Sequence, residues 1–556
     1  MKWLNENSRN FLSRGYLTEG QSPEQRIRII ADTAESLLGI KGFADKFYGY
    51  LENGYYSLST PVWANFGNDK GLPISCFGSF VPDNMGGILY TQSEVGMMSK
   101  FGGGTSGYFG ELRHRGASIT DNGESSGSVH FMELFEKMTD VVSQGSTRRG
   151  RFSPYLPVDH PDIEEFLRIG TEGNPIQELT HAVTVTDEWM EAMIAGDPDK
   201  RAIWAKVIQR RVEIGYPYIL FLDTVNKNTV DVYKDKNLKI YASNLCSEVL
   251  LPSNDEWSFV CNLSSMNLLH YDEWKDTDAV ETMVFFLDAV MTDFIEKLEN
   301  MRDSESKEDM LAFSFMERAY NFAKTNRALG LGALGWHSYL QSKMIPFESL
   351  EASKLNSRVF SFIQTKAHNA SKELAIMFGE PDLLKGYGRR NTTLTAIAPT
   401  TSSAFILGQV SQSIEPVWSN CYVKDVAKAK VTIQNPYLRE ALKAYDKDTR
   451  EVWNSIRDND GSVQHLEFLN DNEKEVFKTF CEIDQYVVLD QASTRQLFLD
   501  QSQSLNVMIN PKMSAKDING LYLFAWENNI KTLYYQHSTN AAQQFSKDKL
   551  CSNCEA

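Results

Sequence analysis

The sequence predicts an α/β fold on three observations. Helical periodicities alternate with short β-rich pieces over most of the chain. At 42% hydrophobic and 23% charged over 556 residues, the composition is globular, with length for several cores or one large enzyme domain with appendages. No internal repeat, low-complexity linker or Pro/Ser-rich boundary splits the chain into independent halves.

The elements follow in chain order. SPEQRIRIIADTAESLL predicts a helix with Ser22 as N-cap, Pro23 at the first helical position and Gln25 completing a capping box. Ile27, Ile30, Ala31, Ala34 and Leu38 recur there at helical spacing. HAVTVT (181–186) and YILFLDTV (218–225) read as strands. The stretch from Asp278, DAVETMVFFLDAVMTDFIEKLENM, is apolar around most of its circumference and predicts a buried helix. A further helix spans Leu350 to Phe378, with no proline to break it, and TLTAIAPT (393–400) reads as a strand. From Asn540 the chain is polar, small and without period, which predicts a flexible tail.

Lys+Arg 56 against Asp+Glu 73 gives a net charge of −17, which disfavours nucleic-acid polymers and membrane surfaces as partners. No apolar run reaches the ~18 residues of a membrane span. MKWLNENSRNFL lacks the apolar core of a secretory signal, so a cytoplasmic location is expected. Seven cysteines, an odd and sparse set, exclude a disulfide-stapled scaffold.

The cysteines differ by context. Cys421 and Cys481 read as inert fillers. Cys551 and Cys554 form a Cys-x-x-Cys pair near the chain end with no second ligand pair for zinc, which favours a mobile dithiol that exchanges with another disulfide. In SNLCSE, alternation puts Asn244, Cys246 and Glu248 on one side of an extended segment. The carboxylate discourages a thiolate at Cys246 and suits a general base beside hydrogen-atom chemistry. Taken alone, that tripeptide reads as a buried structural thiol with a surface carboxylate; the rest of the chain overturns that reading. Cys76 and Cys261 flank apolar stretches and fit either core thiols or a second, internal dithiol.

Three further motifs carry chemistry. Thr400 to Ser403 follow Pro399 and precede an apolar helical face, a hydroxyl-rich helix start suited to phosphate. Gly102, Gly103 and Gly104 do not make a Walker loop, because no Gly-Lys-Ser/Thr follows. Tyr534 and Tyr535, taken alone, read as packing.

Together these landmarks resemble the large catalytic subunit of class I ribonucleotide reductase. SLSTP with SC at 75–76, SNLCSEVLLP (243–252), RALGLGALG (327–335), APTTSSAFILGQVSQSIEP (398–416), KTLYYQ (531–536) and CSNCEA stand in that family's order, over about nine-tenths of the chain. The resemblance implies a short helical region (1–56) without an ATP-sensing cone, a catalytic barrel (57–539) and a redox tail (540–556). The barrel is expected to have ten strands, in two five-stranded halves, around a central finger loop.

By resemblance, Cys246 becomes the thiyl radical that takes the ribose 3′-hydrogen, Glu248 accepts the 3′-hydroxyl proton and Asn244 holds the sugar. Cys76 and Cys261 supply the electrons, and Cys551 with Cys554 passes reducing equivalents from thioredoxin or glutaredoxin. Tyr534 and Tyr535 relay the radical from a separate dimetal-carboxylate subunit, so this chain holds no cofactor or metal of its own. Thr60, Ser75, Gly103, Gly104, Thr401, Ser402 and Ser403 are expected around the substrate nucleotide. Thr400 stands where the family commonly has glutamate. Asp83, Arg113 and Ile119 are expected to contact a dNTP or ATP effector, with 170–177 as a second effector loop, near the interface of a homodimer. Two other readings stay open: an adenosylcobalamin-dependent reductase of the same fold, and a protein dithiol–disulfide oxidoreductase acting through the tail.

Overall fold

The computed structural model describes residues 1–538 apart from 70, 121–122, 145–147, 427–428 and 511. Cys551 and Cys554, with the tail they belong to, lie outside the described residues.

The chain opens with helices Glu6–Leu12, Pro23–Leu38 and Phe43–Glu52. The capping box at Ser22 forms: its Oγ accepts from Gln25 N–H at 3.2 Å, and its own N–H donates to Gln25 Oε1 at 2.8 Å. Arg26, fully buried, donates to the carbonyls of Val62, Trp63 and Phe66. These carbonyls belong to the end of helix Thr60–Asn65, where a cation suits the helix dipole. One side chain thus fastens the helical region to the sheet domain.

Among the described residues nine strands form one sheet. They are β1 (Tyr56–Leu58), β2 (Cys76–Phe80), β3 (Gly104–Tyr108), β4 (Arg151–Pro157), β5 (Ala182–Val185), β6 (Tyr218–Phe221), β7 (Phe259–Asn267), β8 (Leu329–Leu334) and β9 (Thr532–Leu533). The order is β1-β7-β2-β3-β4-β5-β6-β9, with β8 also on β7. β2 to β6 are parallel neighbours joined by crossovers, among them helices Met85–Lys100 and Ser128–Val141. β7 runs antiparallel to both β1 and β2, and parallel to β8.

Helix Ala279–Arg302 packs behind the sheet with most of its residues buried, as its all-round apolarity requires. Helix Leu350–Phe378 has the predicted bounds. A second, smaller core gathers Leu438, Leu442, Trp453, Ile456, Val476 and Phe477 in a separate lobe.

Two strand readings need correction. Of 218–225 only Tyr218–Phe221 is strand; Leu222–Lys227 is a helix, with Asp223 in its first turn. The 393–400 segment is extended but carries only isolated bridges, Leu331 to Thr395 and Ile397 to Gln503. Its Leu394 N–H goes to the Asp500 carboxylate instead of a ladder.

Candidate functional site

The site is built on a turn. Ser243 and Leu250 bridge antiparallel, and between them Ser247 adopts φ +67°, a left-handed value that folds the chain back. The segment is therefore a tight finger, and the extended geometry inferred from alternation does not hold. Asn244 braces it from inside: its Oδ1 accepts the N–H groups of Glu248 and Val249, both at 3.1 Å. Ser243 Oγ donates to Val249 O at 2.7 Å.

The sheet curls around this finger, because distant strands all hold it. Ser106 on β3 donates to Ser243 O, Tyr155 on β4 to Asn244 O and Thr532 on β9 to Ser247 O, at 2.7, 2.9 and 2.8 Å. Residues 501–504 close the remaining side. Gln501 Oε1 accepts from Leu250 N–H, Ser502 N–H donates to Glu248 O, and Ser504 Oγ donates to Cys246 O at 2.6 Å.

Glu248 is 1% exposed, and burial raises its carboxyl to about 7, against the offsetting bonds from its own N–H, Asn244 and Ser504. Ser504 Oγ reaches Glu248 Oε2 at 3.1 Å. Cys246, two residues earlier on the same turn, is 4% exposed.

Cys76 on β2 and Cys261 on β7 are direct cross-strand partners. Opposed residues on antiparallel strands have Cα atoms ~4.5–5.5 Å apart, inside the range a disulfide spans. Asn244 Nδ2 lies 3.6 Å from Cys76 Sγ and Gln501 Nε2 lies 3.4 Å from Cys261 Sγ. Burial pushes the Cys261 thiol well above its ordinary range, and the Gln501 donor partly offsets it. The finger therefore meets the thiol pair directly through Asn244.

Tyr534 and Tyr535 have ring centroids 4.4 Å apart. Tyr218 on β6 lies 4.7 Å from the first and 5.0 Å from the second. Tyr534 N–H donates to Leu505 O, one residue after the serine that grips Cys246. Arg211 donates to Tyr534 O at 2.9 Å. Tyr534 and Tyr535 also line a cavity of about 390 Å³, together with His537, Trp418, Glu415 and Thr401. Glu415 is buried there and raised to about 7, with Trp418 and Asn506 as donors.

The substrate-assigned residues divide. Thr60 starts helix Thr60–Asn65, with a buried hydroxyl that has no hydrogen-bond partner among the described residues. Ser75 O accepts from Gly104 N–H at 2.7 Å. A Cβ at Gly103 would meet Phe77 at 2.6 Å, and one at Gly104 would come within 3.2 Å of Leu245 of the finger, so close packing favours glycine at both positions. Thr401, Ser402 and Ser403 begin helix Thr401–Ile406. Thr400, at φ +55°, spends its hydroxyl on Ser413 N–H and does not line the cavity.

The effector-assigned residues lie elsewhere. Arg113 Nε donates to Asp83 Oδ2 at 2.9 Å, while Ile119 is exposed on the hairpin Ser118–Ile119 with Gly123–Glu124. In the 170–177 loop, Gln177 Nε2 donates to Thr171 O and Asn174 O, and Gln177 N–H donates to Glu136 on helix Ser128–Val141.

Sequence reasoning missed Gln501, Ser504, Glu415 and Tyr218. The polar alternation QSQS inside an apolar setting was the available signal for the first two, and Glu415 stood within the APTTSSAFILGQVSQSIEP landmark without a role.

Comparison with known proteins gives one consistent result. The family described as "Ribonucleotide reductase, barrel domain" matches residues 74–200, 197–383 and 381–536, and "Ribonucleotide reductase, all-alpha domain" matches 2–71. A Frog virus 3 (isolate Goorha) protein named as a ribonucleoside-diphosphate reductase large subunit is 36% identical over 511 residues, covering 88% of this chain and 87% of its own. The ribonucleoside-diphosphate reductase large subunit of Invertebrate iridescent virus 3 is 32% identical, covering 95% and 92%. The Actinobacillus ureae class Id ribonucleotide reductase alpha subunit superposes with a TM-score of 0.90 at 53% identity, over 98% of each chain.

Proposed function

The chain belongs to the ribonucleotide reductase large-subunit family, and from that premise we propose how its residues divide the reaction. It is the catalytic subunit of a ribonucleoside-diphosphate reductase, an oxidoreductase that makes 2′-deoxyribonucleotides. Cys246, as a thiyl radical, removes the ribose 3′-hydrogen and returns a hydrogen after reduction. Glu248 takes the 3′-hydroxyl proton; a carboxyl titrating at about 7 exchanges protons near neutral pH. Cys76 and Cys261 give up two electrons and two protons and close into a disulfide as the 2′-hydroxyl leaves as water. The observation that carries this reading is the cross-strand thiol pair against a finger bearing both Cys246 and Glu248.

The radical arrives from a separate radical-generating subunit through Tyr535 and Tyr534. Their ring contact beside the cavity, with centroids 4.4 Å apart and planes tilted by 59°, supports that order, Tyr534 being tied to the residue next to Ser504. Cys551 and Cys554 reset the internal disulfide with electrons from thioredoxin or glutaredoxin. Thr60, Ser75, Gly103, Gly104, Thr401, Ser402 and Ser403 surround the substrate. Asp83, Arg113 and Ile119 read a dNTP or ATP effector. Helices Met85–Lys100 and Ser128–Val141 lie side by side near the Asp83–Arg113 ion pair, with Met85, Leu89, Leu134 and Val141 exposed, which supports a homodimer through this face. Among the described residues no helix is long and apolar enough to cross a membrane. We assign the enzyme to the cytoplasm, where thiol reductants operate.

The test is CDP reduction with dithiothreitol and an effector nucleotide, using the chain alone, with adenosylcobalamin, or with the dimetal subunit of the same genome. Product with the protein partner only is the expected result. Product with the cobalamin alone would return Tyr534 and Tyr535 to packing. With the partner, Tyr535→Phe is expected to abolish turnover while effector binding persists; normal turnover would remove the relay.

A further inference from the structure

Gln501 does two things with one amide. Its Oε1 accepts from Leu250 N–H at 2.9 Å, at the base of the finger. Its Nε2 points at Cys261 Sγ from 3.4 Å, and shares its protons with Leu329 O at 3.0 Å and Thr393 Oγ1 at 3.1 Å. The side chain is fully buried, and 251 residues of sequence separate it from Leu250. Such a group is costly to bury unless every bond is made, so its orientation is fixed and an N–H is held against the sulfur.

We propose that Gln501 is the positioning residue of the reductant pair: it orients Cys261 toward Cys76, favours the reduced sulfur, and ties that sulfur to the finger carrying Cys246. This rests on the reading of Cys76 and Cys261 as the electron donors. A thiol or thiolate sulfur accepts an N–H better than a disulfide sulfur does. The amide therefore stabilises the reduced pair relative to the oxidised pair. Burial alone drives the Cys261 thiol upward, and Gln501 is the neighbouring side chain whose hydrogen bond opposes that drift.

The test is a redox titration of the full-length chain in mixtures of reduced and oxidised dithiothreitol. In the equilibrium, dithiothreitol loses two electrons and two protons and closes its own S–S bond, while the Cys76–Cys261 bond opens into two thiols. Alkylation followed by mass spectrometry counts the peptides containing Cys76 and Cys261. Gln501→Met removes the donor at similar volume, and its equilibrium constant for reduction is expected to fall about three- to tenfold, the worth of one hydrogen bond. Gln501→Asn keeps the amide but draws it back by one methylene, and decides the matter if the methionine variant does not fold. Turnover with the partner subunit should fall while the KM for CDP holds. A folded variant whose constant stays within about twofold of wild type overturns the inference, whatever its turnover. A wild-type chain that forms no Cys76–Cys261 bond defeats the reductant assignment itself, which is a different failure.

Discussion

Asp288, on the helix behind the sheet, and Glu248, on the finger in front, are both buried carboxylates with opposite surroundings. Asp288 receives Arg327 Nε at 2.9 Å, Arg390 Nε at 2.8 Å and Asn391 Nδ2 at 3.0 Å. Burial alone would raise it, yet the two guanidinium groups hold it below its ordinary value. Glu94, also buried, is paired with a guanidinium too, Arg318 Nη2 at 2.6 Å. Glu248 and Glu415 are bonded by neutral donors only, its own N–H, Asn244 and Ser504 for the first, Trp418 and Asn506 for the second, and both rise to about 7. The chain neutralises buried charge where it builds framework and leaves it unneutralised beside the thiols and tyrosines. A carboxyl free to gain and lose a proton near neutral pH is useful in the second place and a liability in the first.

The largest effect separates the two regions outright. Cys246→Ser is expected to remove CDP reduction altogether while leaving the unfolding midpoint and nucleotide binding near wild type. Residual turnover by the serine variant would sink the thiyl assignment and make the finger another piece of framework. Next is Glu248→Gln, which keeps shape and loses the base, and should cost roughly 10²–10⁴-fold in kcat. Wild-type kcat should rise with pH through about 7, where Glu248 ionises, and that limb should vanish in the glutamine variant. A limb that survives belongs to another group.

Asp288→Asn tests the other side. It leaves Arg327 and Arg390 buried against an uncharged amide, and loss of one member of a buried network costs about 3–5 kcal/mol. Denaturant unfolding should register that loss, while the kcat of the folded fraction stays within about twofold of wild type. If instead kcat collapses with stability intact, the framework reading of this cluster fails. The pH sign also opposes that of Glu248. A carboxyl held low contributes stability that is present at neutral pH and lost as pH falls through its folded value.

How much of this was legible in the sequence depends on the range of the interaction. The capping box at Ser22 and the helix Leu350–Phe378 are written in neighbouring residues, and both were readable. So were the strands around Val183 and Ile219. Thr224 and Val225 suggested strand by their branched side chains, but a local helix start at Leu222 overrode that preference. Thr393 to Ile397 has a strand's composition; its backbone bonds are divided among the Asp500 carboxylate, Leu329 and Leu331 on one side and Gln501, Ser502 and Ser504 on the other, so only isolated bridges form. The finger's identity came through its Cys and Glu, while its shape did not, because a serine at φ +67° has no signature of its own. The cross-strand register of Cys76 with Cys261 and the grip of Gln501 and Ser504 join residues more than a hundred positions apart. No periodicity encodes them.

Glu415 gives the smallest effect and the finest discrimination. Its carboxyl is fully buried, raised to about 7 by that burial and only partly relieved by Trp418 and Asn506. In the unfolded chain it titrates near the ordinary glutamate value, so between roughly pH 4.5 and 7 the folded state holds the extra proton. Stability from this group is therefore present at low pH and lost as pH rises through that window, by no more than about 1.4 kcal/mol per unit. Glu415→Gln removes the titration and should flatten the stability slope between pH 5 and 7, as read by urea unfolding at three pH values. Because Glu415 lines the cavity with Tyr535, the same variant should leave effector binding unchanged and alter the partner-driven turnover. A flattened slope with wild-type turnover would make Glu415 a buried acid of the cavity wall. An unchanged slope would mean that water reaches the carboxyl, and that its likeness to Glu248 is one of position alone.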